Sequence, residues 1–352
     1  MLRARRLLLA AALCGVTACV PQDLSNVVPR RDVNGAILDA HDGNVVYDEV
    51  GQQWLYFAAG YGACREPDGL NGCADWTNGT SCGFFRNHSV NVYSTSDFTT
   101  WRPHGNVLPL PARPSAVLFS PKAVFNKKTG LWVLWINLYP PYNYAVATSA
   151  SPLGPFATVN TSVALSTQFG SKYNNSNVGD FAIFVDDDET AYLLYSSDAH
   201  AQIEVLADDY LSSTWSVDGR TSGVFPHGNE APAMFKRGEL YYALVSDSCC
   251  YCGGGGQVRA FVASSPLGPY AYTGSITEGA NPFNPSGVST SCQQTLAFSV
   301  NGQVVWVGDR WQSGPEPARL KGQDFTSWFV LNFTANGTVL PIAWADNVVI
   351  DV

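Results

Sequence analysis

Charge is scarce in this chain. Of its 352 residues only 14% are Asp, Glu, Lys or Arg, and the formal net charge is −9. No basic stripe is present to neutralise phosphates, which excludes a nucleic acid or an anionic membrane surface as partner and suits a neutral ligand such as a sugar. The low charge and the 12% aromatic content also argue against disorder and against long helices. The apolar run Leu7 to Leu13, behind Arg3, Arg5 and Arg6, is too short to span a bilayer. With the small residues Val16-Thr17-Ala18 behind it, it reads as a signal peptide over residues 1–18, so the mature chain is expected to be secreted and free of the membrane. Cleavage after Ala18 would leave Cys19 first, which is also the pattern of a bacterial lipoprotein. Asn-x-Ser/Thr acceptors at Asn78, Asn87, Asn160, Asn174, Asn332 and Asn336 favour a secreted glycoprotein instead.

Other familiar patterns are also missing. Cys64, Cys73 and Cys82 share one loop, Cys249, Cys250 and Cys252 share another, and Cys292 stands alone. No His lies beside either cluster at a usual ligand spacing, so disulfides in an oxidising compartment are expected rather than zinc. The run Gly253 to Gly256 lacks the Lys and the following helix of a phosphate loop. Asp186-Asp187-Asp188 lacks the EF-hand spacing and reads as a solvated hairpin turn. No metal and no cofactor is expected.

What the chain does have is 32 Gly and 21 Pro, which suit many short strands joined by tight turns. A unit of roughly 50 to 60 residues recurs, the kind of period that marks a propeller or a solenoid. Its first half is a hairpin: Asn44–Tyr47 with Trp54–Phe57, Ala123–Phe125 with Leu131–Trp135, Ala182–Phe184 with Ala191–Tyr195, Ala233–Phe235 with Tyr241–Leu244, and Leu296–Phe298 with Val304–Val307. The second half is a strand, a Pro-Gly turn and an outer strand. Ser151-Pro152-Leu153-Gly154-Pro155 is echoed by Ser265-Pro266-Leu267-Gly268-Pro269, and Tyr93 to Trp101 takes the same role in the first unit. The expected fold is all-β: a five-bladed β-propeller with four-stranded antiparallel blades, one domain over residues 32–352, acting as a monomer. A β-sandwich with accidental internal similarity is the competing arrangement, and the paired Ser-Pro-Leu-Gly-Pro phrases weigh against it.

In a propeller the innermost strand of each blade lines the axis, so the residues that open it meet in one cleft. Here they are Asp42, Pro121-Lys122, Asp180, Glu230 and Gln293. Carboxylates facing each other across a cleft are the equipment for breaking a glycosidic bond, one to protonate the leaving oxygen and one to activate water. His41 either lines such a pocket or serves the structure. Trp135, Tyr139, Tyr142, Tyr251 and Trp311 are candidate platforms for a sugar face, though most aromatics in such a chain belong to the core between blades.

Four phrases carry a family resemblance: Ala40-His41-Asp42-Gly43, Pro121-Lys122-Ala123-Val124-Phe125-Asn126, Asp180 through Leu194, and Glu230 through Gly238. A fifth joins Gln294-Thr295 to Val307-Gly308-Asp309-Arg310-Trp311. In order and spacing the chain resembles the family 43 glycoside hydrolases, and within them is most similar to the exo-β-1,3-galactanase branch. The resemblance implies an inverting hydrolase acting on a polysaccharide or oligosaccharide, β-galactan or arabinose-containing. Glu230 matches the general acid and Asp180 the residue that tunes and orients it. Most of the family takes its base from an Asp opening the first blade, whereas the galactanase branch has Gly there and uses a Gln from the last blade. Both options are present, as Asp42 and Gln293. Asp42 is favoured because a carboxylate takes a proton from water more readily than an amide; Asp39 is a weaker candidate, and an Asx turn at the strand entrance is the bland reading of Asp42. His41, Lys122, Gln294, Asp309, Arg310 and Trp311 are the expected substrate-binding residues. The branch also carries a Glu just before its Pro-Lys pair for sugar recognition, where this chain has Phe119-Ser120. A glycan-binding propeller without catalysis is the alternative reading.

Overall fold

A computed structural model describes residues 19–65, 82–140, 142–166, 177–197, 200–226, 230–247, 254–282 and 287–352. The signal segment 1–18, Cys73, Cys249, Cys250, Cys252, Asn78, Asn174 and Tyr251 lie outside the described residues.

Five antiparallel sheets follow one another along the chain. The first blade is β2 (His41–Asp48), β3 (Gln53–Gly60), β4 (Ser89–Thr95) and β5 (Arg102–Asn106). The second is β6 (Val117–Asn126), β7 (Leu131–Tyr139), β8 (Asn143–Ser149) and β9 (Ala157–Asn160). The third is β10 (Val178–Val185), β11 (Ala191–Ser197) and β12 (Ala201–Val205). The fourth is β13 (Glu230–Arg237), β14 (Leu240–Ser246), β15 (Val258–Ala263) and β16 (Ala271–Ser275), and the fifth is β17 (Gln293–Val300), β18 (Gln303–Arg310) and β19 (Phe325–Val330). All five expected hairpins form, with Tyr47 opposite Trp54 in the first and Phe298 opposite Val305 in the last. The two Ser-Pro-Leu-Gly-Pro phrases make the turns from β8 to β9 and from β15 to β16.

Two blades depart from the four-stranded expectation. In the third, the segment after Arg220 runs along β12 with main-chain bonds from Val205 to Arg220 and from Ser222 to Ile203. It regularises into a single bridge, Glu204 with Thr221. In the fifth, the outer edge of β19 is taken up by a side chain: the Asn26 amide bonds both the N–H and the C=O of Trp328. The propeller also begins upstream of residue 32. Strand β1 (Pro21–Ser25) pairs with β20 (Asn347–Asp351), and Leu24 and Ile350 pack between the first and fifth blades. That pair ties the two ends of the chain into the seam where the ring closes.

The core sits between blades. Five buried clusters correspond to the five seams, such as Leu55, Phe57 and Trp132 between blades one and two, or Leu194, Met234 and Phe261 between three and four. Each blade is apolar on both faces for this reason. The inner hairpin strands therefore read as nearly continuous apolar runs, the fully buried case rather than strict alternation.

Candidate active site

Every innermost strand breaks its ladder near its start. The breaks lie between His41 and Asn44, Phe119 and Lys122, Val178 and Phe181, Glu230 and Ala233, and Gln294 and Leu296. A β-bulge bends its strand and re-aims side chains. The sequence permits each one locally. Pro121 and Pro232, which have no N–H to give a ladder, fall inside two of them. Asp42, Ser120 and Ala231 take left-handed backbone at φ 53°, 45° and 43°. Gly43 is required because a Cβ there would lie 1.8 Å from the Phe57 carbonyl oxygen. The bulges place Asp42, Ser120, Asp180 and Glu230 at one mouth of the axial channel.

The floor of that mouth is closed by Lys122. Its ammonium donates to the main-chain carbonyls of Asp42, Gly43 and Thr295 at 2.7, 2.5 and 3.2 Å. Three donors meet three carbonyls, so Lys122 is a clamp between blades one, two and five rather than a ligand for sugar hydroxyls. Burial lowers its pKa, and Asp180, Asp42 and Asp309 oppose that shift.

Asp180 keeps a partly exposed edge toward the cleft. Its carboxylate accepts from the Ser120 hydroxyl at 2.6 Å, from the Gln293 amide at 3.4 Å and from the Ala231 N–H, next to Glu230 in the chain. Burial pushes its pKa up against these donors. Asp42 accepts from the Tyr61 hydroxyl at 2.8 Å through Oδ2, and its own N–H donates to Asp309 at 2.9 Å. Burial and then the like charges of Asp309 and Asp180 raise the Asp42 carboxyl to about 8, with Tyr61 and His41 pulling the other way. Glu230, partly buried, opens β13 opposite Ser246. Blades one and four are not neighbours in the ring, so Asp42 and Glu230 approach the cleft from different sides, and Asp180 comes from the blade next to that of Glu230.

Several expected ligands turn out to support the site from below. His41 is fully buried and lies 3.4 Å from Asp309 and 3.5 Å from Asp39. Burial alone would lower its pKa, but the two carboxylates overcome that and raise it to about 10, which favours the imidazolium. Asp309 is also fully buried. Burial would raise its pKa, but His41 holds it below the usual carboxylate range. Its Oδ2 accepts from Thr295 and from the Asp42 N–H. Gln294 donates to the carbonyls of Ala231 and Leu244 and accepts from the Trp306 indole, which uses it up as a brace between blades four and five. Arg310 points away: next to Asp309 on β18 it emerges on the other face, bonding the Asn26 carbonyl and stacking over Phe325 and Trp344. Trp311 is buried, stacked on His41 at 5.3 Å, with its indole donating to Gln293. Gln293 thus has its oxygen engaged by Trp311 and its nitrogen facing Asp180. Trp135 is fully buried and bonded to the Tyr210 carbonyl, and Tyr139 packs on Tyr142 and Phe84.

Two residues of this mouth were not legible as such. Tyr61 follows directly on β3 and belongs to no motif; the structure alone brings it to Asp42. Ser120 stood out only as the position lacking a Glu, and proves to be the partner of Asp180. Asp39, the weaker base candidate, accepts from the N–H groups of Tyr61 and Gly62 at 2.8 and 2.7 Å and so anchors the segment that carries Tyr61. Cys64 and Cys82 form a disulfide just beyond it, while Cys292 is free and buried. Among the described residues no group of His, Cys, Asp or Glu is arranged to hold a metal.

Below Lys122 the axis widens into a cavity of about 1050 Å³ on the opposite face. Its walls include none of Asp42, Asp180 or Glu230. Chemistry rather than volume therefore locates the candidate site.

Comparison with known proteins bears on the family and the fold. The sequence model described as "Glycosyl hydrolases family 43" matches residues 76–286, a stretch that holds Ser120, Lys122, Asp180 and Glu230 and leaves Asp42 and Gln293 outside. A curated relative, a β-D-galactofuranosidase of Aspergillus niger, is 25% identical over 239 residues, which is 61% of this chain and 64% of that protein. A solved family 43 β-1,3-galactosidase superposes with a TM-score of 0.70 at 24% identity, over 93% of this chain and 63% of that one. An exo-β-1,3-galactanase from Clostridium thermocellum does so with a TM-score of 0.72 at 19% identity, over 94% of this chain and 67% of that one. The chain thus spans less than two thirds of the curated relative and of the first of these structures. At such identities the superpositions speak to the fold.

Proposed function

The chain belongs to glycosyl hydrolases family 43, and on that premise we propose that it is a secreted, monomeric glycosidase that hydrolyses β-galactan or arabinose-containing polysaccharide with inversion at the anomeric carbon. The observation that carries this reading is the gathering of Asp42 and Asp180 at the mouth that Glu230 also opens, with Asp42 raised toward neutral pH. A catalytic base works best with a pKa near the operating pH.

In the reaction Glu230 gives its proton to the glycosidic oxygen as the bond to the anomeric carbon breaks. Asp42 takes a proton from a water that attacks that carbon from the opposite side, and the new C–O bond forms with inverted configuration. Asp180, fixed by Ser120, Gln293 and the Ala231 N–H, supplies a negative charge beside the acid. In the family pattern this neighbour tunes the acid and orients it toward the leaving oxygen. Lys122, Asp309 and His41 hold the main chain of Asp42 from below.

The galactosyl substrate class comes from the relatives, whose names specify β-galactofuranosides and β-1,3-galactosides. Ser120 brings no carboxylate to the cleft, so recognition of the sugar differs from the galactanase pattern and the substrates to be tried extend to arabinans. Exposed Asn87, Asn332 and Asn336 suit the glycoprotein reading. The test is release of reducing sugar from a panel of β-galactans and arabinans by wild type and by Glu230→Gln, with the first-formed anomer read by proton NMR. Wild type is expected to release sugar with inversion, and Glu230→Gln to lose at least about a hundredfold in rate. Sugar release that survives in Glu230→Gln would sink the assignment. Binding of these glycans by wild type without release would leave a glycan-binding propeller.

A further inference from the structure

We propose that Tyr61 is the positioning residue for Asp42: its hydroxyl fixes one carboxylate oxygen and leaves the other to hold the attacking water. The proposal rests on the reading of Asp42 as base.

Asp42 stands on left-handed backbone inside a bulge, where nothing in the strand ladder orients its side chain. Among the described residues the side-chain donor to its carboxylate is Tyr61, at 2.8 Å to Oδ2. No described residue donates to Oδ1, and Asp42 keeps an exposed edge toward the cleft.

The tyrosine is itself held on every side. It is 5% exposed. Asp39 takes its N–H, and the rings of His88, His41 and Trp311 surround it at 4.4, 5.1 and 6.0 Å between centroids. Lys321 lies 5.1 Å from its ring. A phenol so confined has one place to put its hydroxyl, and reorienting it costs the packing of the whole stack.

The electrostatic sense follows. The charged groups around Asp42 are Asp39 and His41 from its own segment, Lys122 from β6, Asp180 from β10 and Asp309 from β18, with Lys321 and neutral His88 behind Tyr61. Burial first, then the carboxylates of Asp309 and Asp180, hold the proton on Asp42; the Tyr61 hydroxyl, and after it His41, favour its removal. Tyr61 thereby draws the Asp42 carboxyl down toward the range in which it can take a proton from water, against burial and its neighbours' charge.

Tyr61→Phe retains the ring and its stacking while deleting the donor. Two readouts are needed: the pH profile of kcat and KM, and titration of the Asp42 carboxyl by carbon-13 NMR, assigned by the signal lost in Asp42→Asn. The proposal expects the acid limb to move up by about one pH unit and kcat below that limb to fall about tenfold, with KM nearly unchanged. The NMR titration moves with it. An unmoved Asp42 titration overturns the proposal and leaves the role of Asp42 standing, as does a change confined to KM, which would make Tyr61 a sugar ligand. A titration that moves while the activity limb stays, together with an active Asp42→Asn, overturns the base reading and the role of Tyr61 with it.

Discussion

The two mouths of the axial channel are built from the same five strands, and both are acidic. They differ in how the acids are partnered. At the lower mouth Asp186 and Asp187 pair with Lys236 at 2.9 and 2.8 Å, and Lys127 lies 3.3 Å from both Glu49 and Glu189. Asp186 also accepts from Tyr241, and although burial works against it these partners hold its carboxyl below the usual range. At the upper mouth Asp42 and Asp180 crowd each other and Asp309, and the Asp42 and Asp180 carboxyls are pushed up. The nearby cations are turned elsewhere: Lys122 gives its donors to main-chain carbonyls, and His41 lies against Asp309 and Asp39. Acids matched by lysines make a solvated rim; acids crowded together with only neutral donors for two of them make a place where protons can move. The bulges separate the two cases, since below them the strands run regularly.

Substitutions at the two mouths should therefore behave differently. The largest effect on stability is expected at the clamp between them. Lys122→Met leaves three carbonyls without their donor and the nearby buried carboxylates without its charge, and should lower the unfolding free energy by about 3–5 kcal/mol in urea titrations. A loss under 1 kcal/mol would show that the mouths are not tied through this residue. A smaller effect of opposite sign is expected from Asp42→Asn. The folded-state pKa of Asp42 lies above its unfolded value, so its contribution is fully present below the ordinary carboxylate range and is lost as pH rises through about 8. Removing the carboxyl should raise the Tm above wild type by about 2–4 °C at pH 8–9, with the gain vanishing toward acid pH. Equal melting curves across that range would contradict the crowding. The smallest effect belongs to the lower mouth: Lys236→Ala, which removes a rim cation from half-buried Asp186 and exposed Asp187, should leave kcat/KM unchanged and lower the unfolding midpoint only slightly.

What the sequence could and could not reveal follows the same division. The hairpins and the Ser-Pro-Leu-Gly-Pro turns were legible because propensity, period and turn chemistry all pointed one way. Asp42, Asp180 and Glu230 were legible because strand openings in a propeller face the axis. The three-stranded blades were not, since a single bridge at Thr221 and an Asn26 side chain in place of a strand leave no repeat to find. Nor was the division of labour among the polar residues. Lys122, Gln294, His41 and Asp309 look like ligands in a list of motifs, yet each is occupied by protein groups from another blade. Arg310 was on the wrong face by the simple alternation of a strand, which only the register of β18 reveals. Tyr61 reaches Asp42 through tertiary packing with Asp39, His88 and Trp311, and no local spacing encodes that.

The central claim is that the upper mouth is catalytic and that Asp42 is its base. The measurement that tests it most directly is kcat/KM of Asp42→Asn on the substrate that wild type releases fastest. A fall of at least about a hundredfold, in a variant that melts no lower than wild type, is predicted. Full activity in that variant would contradict it and pass the task of holding the water to Gln293.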